Sequence, residues 1–99
     1  DTLTQRGFTM VPNAVLRSNE ISSGAKLVYA SLLSYAWNND YCFPGQDTLA
    51  KDIGIARGTV NRHVQELAEK GFINITRKGQ GRANVYELNL KARVLRKRW

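Results

Sequence analysis

Residues 46–67 read QDTLAKDIGIARGTVNRHVQEL. On both sides of Gly54 the apolar residues recur three and four positions apart, which is the pattern of two short amphipathic helices. Glycine enters the left-handed conformation without steric cost, so Gly54 is expected to end the first helix. The small side chain of Ala50 lets the two helices approach each other closely. We therefore predict helices over about residues 46–53 and 57–70.

A glycine at the turn, a small contact residue and apolar anchors on both sides are together typical of a helix-turn-helix. Upstream, apolar residues at helical spacing predict a longer helix over about residues 24–38, capped by Ser22 or Ser23. Five more apolar side chains widen its inner face: Leu27, Tyr29, Leu33, Tyr35 and Trp37. Burial within the domain is the expected use of this helix, and a dimer contact is the alternative.

Strands are predicted after Gly71, the glycine that is expected to end the helix over residues 57–70. Residues 72–77 and 85–90 alternate between apolar and polar, as half-buried strands do, and the glycine-bearing loop between them suits a hairpin. Residues 41–43 are a candidate third strand. The expected fold is α+β: a winged helix-turn-helix with three main helices and a two- or three-stranded antiparallel sheet whose hairpin is the wing.

The excess positive charge lies at the end of the chain. Fifteen basic and eight acidic residues give a net charge of +7. From Arg77 onward eight basic residues accompany a single acid, Glu87, whereas the first 76 residues are neutral overall. This asymmetry predicts a polyanionic partner, nucleic acid before membrane. We divide the chain into a DNA-binding domain, residues 1–90, and a basic tail, residues 91–99, for which a solubilising role is the alternative.

Enzymatic and membrane functions are not expected. His63 and Cys42 are the only His and Cys residues, and no acid–base pair, phosphate-binding loop or nucleophile arrangement is recognisable. We therefore expect no catalytic activity, metal, cofactor or small-molecule substrate. No apolar stretch approaches the roughly 18 residues that span a bilayer. The start lacks the apolar segment of a signal peptide, and because it opens on Asp1 rather than Met we expect a longer parent protein.

The outward side of the helix over residues 57–70 carries the candidate DNA-reading side chains. They are the polar residues that remain outside when the apolar stripe faces inward: Arg57, Thr59, Asn61, Arg62 and Gln65. Arginine can grip guanine with two parallel hydrogen bonds, and asparagine and glutamine match the adenine edge in the major groove. An ordinary solvated helix face is the alternative, and Glu66 and Glu69 are assigned to such a face farther along.

Two further groups of residues are candidate phosphate contacts. Gln46 and Thr48 lie at the positive end of the preceding helix, which suits an anion, with local capping as the alternative. The predicted wing carries polar and basic side chains around two glycines: Arg77, Lys78, Gln80 and Arg82. A basic hairpin tip suits the DNA backbone or the minor groove, and a merely soluble tip is the alternative.

Five segments resemble the bacterial winged-helix domains of plasmid and phage replication initiators: FTMVP (8–12), GAKLVY (24–29), CFPGQDTLA (42–50), ARGTVNR (56–62) and LAEKGFI (67–73). Residues 49–73 are also similar to GntR-type and MarR-type transcription regulators. The resemblance covers about residues 8–90. It implies binding of double-stranded DNA, in the replication or maintenance of a mobile element. Gly45 and Ala56 depart from the pattern, because these families commonly have serine at the helix start.

Other roles remain open for the same fold. One is a transcriptional repressor that binds an inverted repeat as a dimer, and a related one is an accessory factor at a conjugative transfer origin. A winged helix used for protein assembly is an alternative of a different class. RNA is less expected, because no aromatic stacking surface is evident on the strands. We expect a bacterial cytoplasmic protein, associated with the nucleoid or a plasmid, and a homodimer or multimer on DNA is left open.

Overall fold

The computed structural model describes residues 5–36, 41–42, 44–77 and 84–88. Its helices within these ranges are α1 (Asn13–Leu16), α2 (Ser23–Tyr35), α3 (Gln46–Ile53) and α4 (Arg57–Glu69). Its strands are β1 (Tyr41–Cys42), β2 (Ile73–Arg77) and β3 (Asn84–Leu88). The predicted α+β winged-helix layout is confirmed, with α2, α3 and α4 as the three main helices. The predicted basic tail, residues 91–99, lies outside the described residues.

The three strands form one antiparallel sheet in the order β1–β3–β2. Strands β2 and β3 pair from Ile73 opposite Leu88 to Arg77 opposite Asn84. Strand β1 pairs with the other edge of β3, where Tyr41 lies opposite Glu87. The alternating pattern of the sequence is therefore confirmed, and the short stretch before α3 makes the sheet three-stranded.

The core lies between α2, the inner sides of α3 and α4, and one face of the sheet. Helix α4 contributes its predicted inward stripe, since Val60, Val64 and Leu67 are fully buried. Leu49 of α3 is fully buried as well, and Ala50 packs against the core beside it. This packing holds α3 and α4 against the rest of the domain, so that their outer sides form a surface of defined shape.

Helix α2 differs from its prediction in its end points and in how much of its surface is buried. It begins at Ser23 and ends at Tyr35, short of the expected residue 38, and the stretch 37–40 lies outside the described residues. Leu27 is 56% exposed, because it lies two residues, or about 200° around the helix axis, from the buried Ala25. Tyr35 is 45% exposed, and its hydroxyl donates a hydrogen bond to Asp52 Oδ2 of α3 at 2.5 Å.

Glycines end both helices of the predicted pair. Gly54 follows α3 with φ +82°, and Gly71 follows the last residues of α4 with φ +81°. Beyond α4 the backbone N–H of Phe72 donates to the carbonyl oxygen of Leu67 at 2.9 Å, which satisfies a carbonyl that the helix leaves without a partner. The chain is thus turned from α4 directly into β2.

The beginnings of the helices are capped unequally. The Ser22 hydroxyl accepts a hydrogen bond from the backbone N–H of Ala25 at 3.3 Å, which confirms one of the two predicted caps of α2. Gly45 and Ala56 occupy the corresponding positions before α3 and α4, and neither provides a side-chain cap. Among the described residues, no helix combines the length and the apolar character needed to cross a membrane.

Candidate nucleic-acid interface

The outer side of α4 presents most of the predicted DNA-reading side chains to solvent. Because its inward stripe is buried in the core, the residues on the opposite side cannot pack inside. Thr59 is half-buried. The other four predicted residues are exposed: Arg57, Asn61, Arg62 and Gln65. A three-residue turn, Gly54–Ala56, separates this helix from α3.

The first turn of α3 contacts the first turn of α4 through an ion pair. Arg57 Nη1 lies 3.2 Å from Asp47 Oδ1 and 3.3 Å from Asp47 Oδ2. The two side chains are 64% and 79% exposed, so the pair stands on the surface rather than in the core. Nothing in the spacing of the sequence marked Asp47, because only the packing of the two helices brings these residues together.

A second contact joins the same two helices. Gln46 Nε2 donates a hydrogen bond to Asn61 Oδ1 at 3.1 Å. Gln46, predicted as a phosphate contact, is therefore next to a predicted base reader, and Thr48 is exposed in the same turn of α3. We use the term reading face for the side chains that these elements bring together: Gln46, Asp47, Thr48, Arg57, Thr59, Asn61, Arg62 and Gln65.

Glu66 of α4 lies against the beginning of α2, and its predicted place on a solvated face is wrong. Glu66 was expected on a solvated face, but its carboxylate accepts the Ser22 backbone N–H at 2.7 Å and the Ser22 hydroxyl at 2.9 Å. His63 Nδ1 lies 3.1 Å from the same carboxylate. Glu66 therefore ties α4 to the beginning of α2, whereas Glu69 is exposed as expected.

The surroundings of Glu66 favour its ionised form. Burial raises the pKa of this carboxyl group, but the hydrogen bonds from the Ser22 backbone, His63 and the Ser22 hydroxyl, together with the charge of His63, outweigh burial. The pKa is lowered from its ordinary value of 4.5. A carboxylate bound in this way connects α4 to α2, one helical turn beyond Arg62 of the reading face.

Gly24 provides the space for the His63 ring. The effect of Gly24→Ala on the free energy of unfolding is therefore expected to change sign when His63 is removed. A Cβ at residue 24 would overlap the imidazole, at 2.7 Å from Cε1 and 3.0 Å from Cδ2. Gly24→Ala is expected to lower the free energy of unfolding by about 1–3 kcal/mol. In a His63→Ala background Gly24→Ala is expected to raise the free energy of unfolding by about 0.5–1 kcal/mol. Without the ring there is no overlap, and alanine only reduces the conformational freedom of the unfolded chain. Urea unfolding of the unmodified protein, the two single variants and the double variant measures both changes. The same sign in both backgrounds would contradict the steric role.

The predicted wing is described only in part. Arg77 is the last residue of β2, where its backbone pairs with that of Asn84 in β3. The other predicted wing contacts, Lys78, Gln80 and Arg82, lie outside the described residues. Within the part of the chain that is described, no three His, Cys, Asp or Glu side chains gather at a candidate metal site.

Comparison with known proteins supports the two-helix motif. A family model described as a helix-turn-helix domain matches residues 19–73. The matched range is more than half of the 99 residues, and it contains α2, α3 and α4 completely. No match to the chain was found among curated proteins.

Proposed function

Because the chain belongs to the helix-turn-helix domain family, whose members place their second helix in the major groove of DNA, we propose that it binds duplex DNA sequence-specifically through α4. The observation that carries this proposal is the division of α4 into two sides. Val60, Val64 and Leu67 are fully buried, while Arg62 is exposed on the opposite side and Arg57 is exposed at the first turn. A rigid helix with such a polar outer side suits a groove lined with hydrogen-bonding base edges.

The uncharged polar and basic residues of the reading face have side chains that suit contacts with DNA. Arg57 and Arg62 match the two acceptors of guanine, and Asn61 and Gln65 match the acceptor and donor of adenine. Thr59 suits the methyl group of thymine or a phosphate oxygen. Gln46 and Thr48, at the beginning of α3, suit hydrogen bonds to phosphate oxygens of the DNA backbone.

The wing adds a sequence-independent part to the binding. Its predicted contacts are one residue at the end of β2 and three in the following loop: Arg77, Lys78, Gln80 and Arg82. Their positive charge attracts phosphates, and arginine also enters a narrow minor groove. In this proposal the protein is a binding module without catalytic activity, metal or cofactor.

The biological role that we propose is replication or maintenance of a plasmid or phage in the bacterial cytoplasm. The support is the resemblance of five segments to replication initiators, four of which overlap the matched helix-turn-helix range. Footprinting on DNA from the chain's own genetic neighbourhood tests this role. Protection of repeats at a replication origin supports it, whereas protection restricted to a promoter or a transfer origin contradicts it.

Selection of bound duplexes from a random pool tests the DNA-reading function directly. Recovery of one common site is expected, and recovery of unrelated sequences would contradict sequence-specific binding. Arg62→Ala is then expected to weaken binding to the selected site by about 1–3 kcal/mol, or roughly 5- to 150-fold, while binding to random duplex changes less. Lys70→Ala removes the same charge from the far end of α4 and serves as the control. Unchanged affinity of Arg62→Ala for the selected site would remove Arg62 from the reading face.

A further inference from the structure

Asp47 is an acid on a surface that is proposed to meet a polyanion. Its side chain is 79% exposed and lies at the first turn of α3, where the helix dipole stabilises a negative charge. The same turn lies beside Arg57 and, through Gln46, beside Asn61. Phosphates repel a carboxylate at this place, so its presence reduces the general attraction of the reading face for DNA.

The ion pair between Asp47 and Arg57 contributes little to the stability of the fold. Both side chains are mainly in solvent, and exposed pairs of this kind are screened by water and salt. Its main consequence is the position of the guanidinium, because an unpaired arginine samples many rotamers. The Asp47 carboxylate contacts Nη1 of Arg57, and among the described residues no hydrogen bond reaches the other edge of the guanidinium.

From these contacts we infer that Asp47 is a specificity-determining residue that holds Arg57 in position for a base edge and keeps it from the phosphates. The inference rests on the proposed DNA-reading function of α4. Arg57 paired with Asp47 presents little net charge to the DNA phosphates. It therefore adds little to the affinity for random DNA. At the correct base, two hydrogen bonds from its open edge are still available. Asp47 thus lowers the affinity for unrelated duplexes, whereas at the selected duplex its positioning of Arg57 offsets its repulsion of the phosphates.

Asp47→Asn removes the charge with almost no change in shape and tests this inference. Affinity is measured at several salt concentrations for a duplex selected with the unmodified protein and for a random-sequence duplex. We expect binding to the random duplex to become about 3- to 10-fold tighter, with a salt slope steeper by about 0.9 for one added phosphate contact. The ratio of selected to random affinity is expected to fall about 3- to 10-fold, because the released Arg57 reaches phosphates of any sequence.

Two further variants separate positioning from the loss of a charge. Glu69→Gln removes an exposed acid from the far end of α4 and is expected to leave the affinity ratio unchanged. In an Arg57→Ala background, Asp47→Asn is expected to raise both affinities by the same factor, because no arginine remains to be positioned. A fall of the ratio that persists in this background would overturn the positioning role.

The outcomes distinguish this inference from the function on which it rests. If the unmodified protein binds selected and random duplexes equally, sequence-specific binding fails and the role of Asp47 fails with it. If the unmodified protein prefers its selected duplex, but Asp47→Asn and the Glu69→Gln control have the same ratio of selected to random affinity, only the role of Asp47 is overturned. A lower ratio together with a steeper salt slope supports both.

Discussion

Phe72→Ala is expected to lower the free energy of unfolding by about 3–5 kcal/mol, the largest change that we predict for this chain. Phe72 is 1% exposed and directly follows Gly71, where the chain turns from α4 into β2. Its ring meets the Tyr29 ring of α2 edge-on, with centroids 6.4 Å apart and an interplanar angle of 80°. Truncation leaves a cavity where two helices and the sheet meet, and it removes the aromatic contact as well.

Urea unfolding followed by circular dichroism measures this loss. Domains of this size are stable by about 5–15 kcal/mol, so Phe72→Ala removes a large part of the total and is expected to shift the unfolding midpoint strongly. Phe72→Leu keeps most of the volume and is expected to cost less than about 1.5 kcal/mol. If Phe72→Ala does not fold, the leucine variant still tests the packing. Equal and small losses in both variants would show that the ring contributes little.

Glu66→Ala is expected to cost about 1.5–3 kcal/mol, which is the range for hydrogen bonds to a charged group. The substitution leaves the Ser22 backbone N–H without its carboxylate partner at 2.7 Å and removes the contact of His63 at 3.1 Å. Glu69→Ala, three residues later on the same helix, removes an exposed acid and is expected to change stability by less than about 0.5 kcal/mol. Equal losses in the two variants would show that the hydrogen bonds of Glu66 to Ser22 and His63 contribute nothing.

The contribution of Glu66 is expected to depend on pH. Because its pKa is lowered in the folded protein, the stabilisation is complete above the ordinary value of 4.5 and is lost as the pH falls through the lowered value. Below both values no stabilisation from this ionisation remains. The difference in unfolding free energy between the unmodified protein and Glu66→Gln should therefore be largest well above pH 4.5 and shrink as the pH falls below 4.5. A difference that stays constant as the pH falls below 4.5 would contradict the lowered pKa.

Much of the fold was predictable because its signals are local. Gly54 and Gly71 end helices since a side chain is costly at positive φ, and this cost does not depend on the rest of the protein. The change of apolar period after Gly71 likewise indicates β2 and β3. The exposed side of α4 followed from the same reasoning, because a buried stripe determines which residues remain outside.

The errors arose where neighbours come from distant parts of the chain. The apolar spacing assigns Leu27 to the core, yet among the described residues it is 56% exposed. Glu66 was assigned to solvent, although Ser22, 44 residues away, supplies it with two hydrogen bonds. Neither outcome has a signal in the spacing of the residues, since both depend on which helix faces which.

Period, glycine positions and charge distribution thus established two short helices, a hairpin and a basic end of the chain from the order of residues alone. The composition of the reading face required the packed domain. Asp47 and Arg57 are ten residues apart in the chain, and Gln46 and Asn61 are fifteen apart. They meet because the buried residues of α3 and α4 set the angle at which the helices cross, and this angle is a property of the whole core.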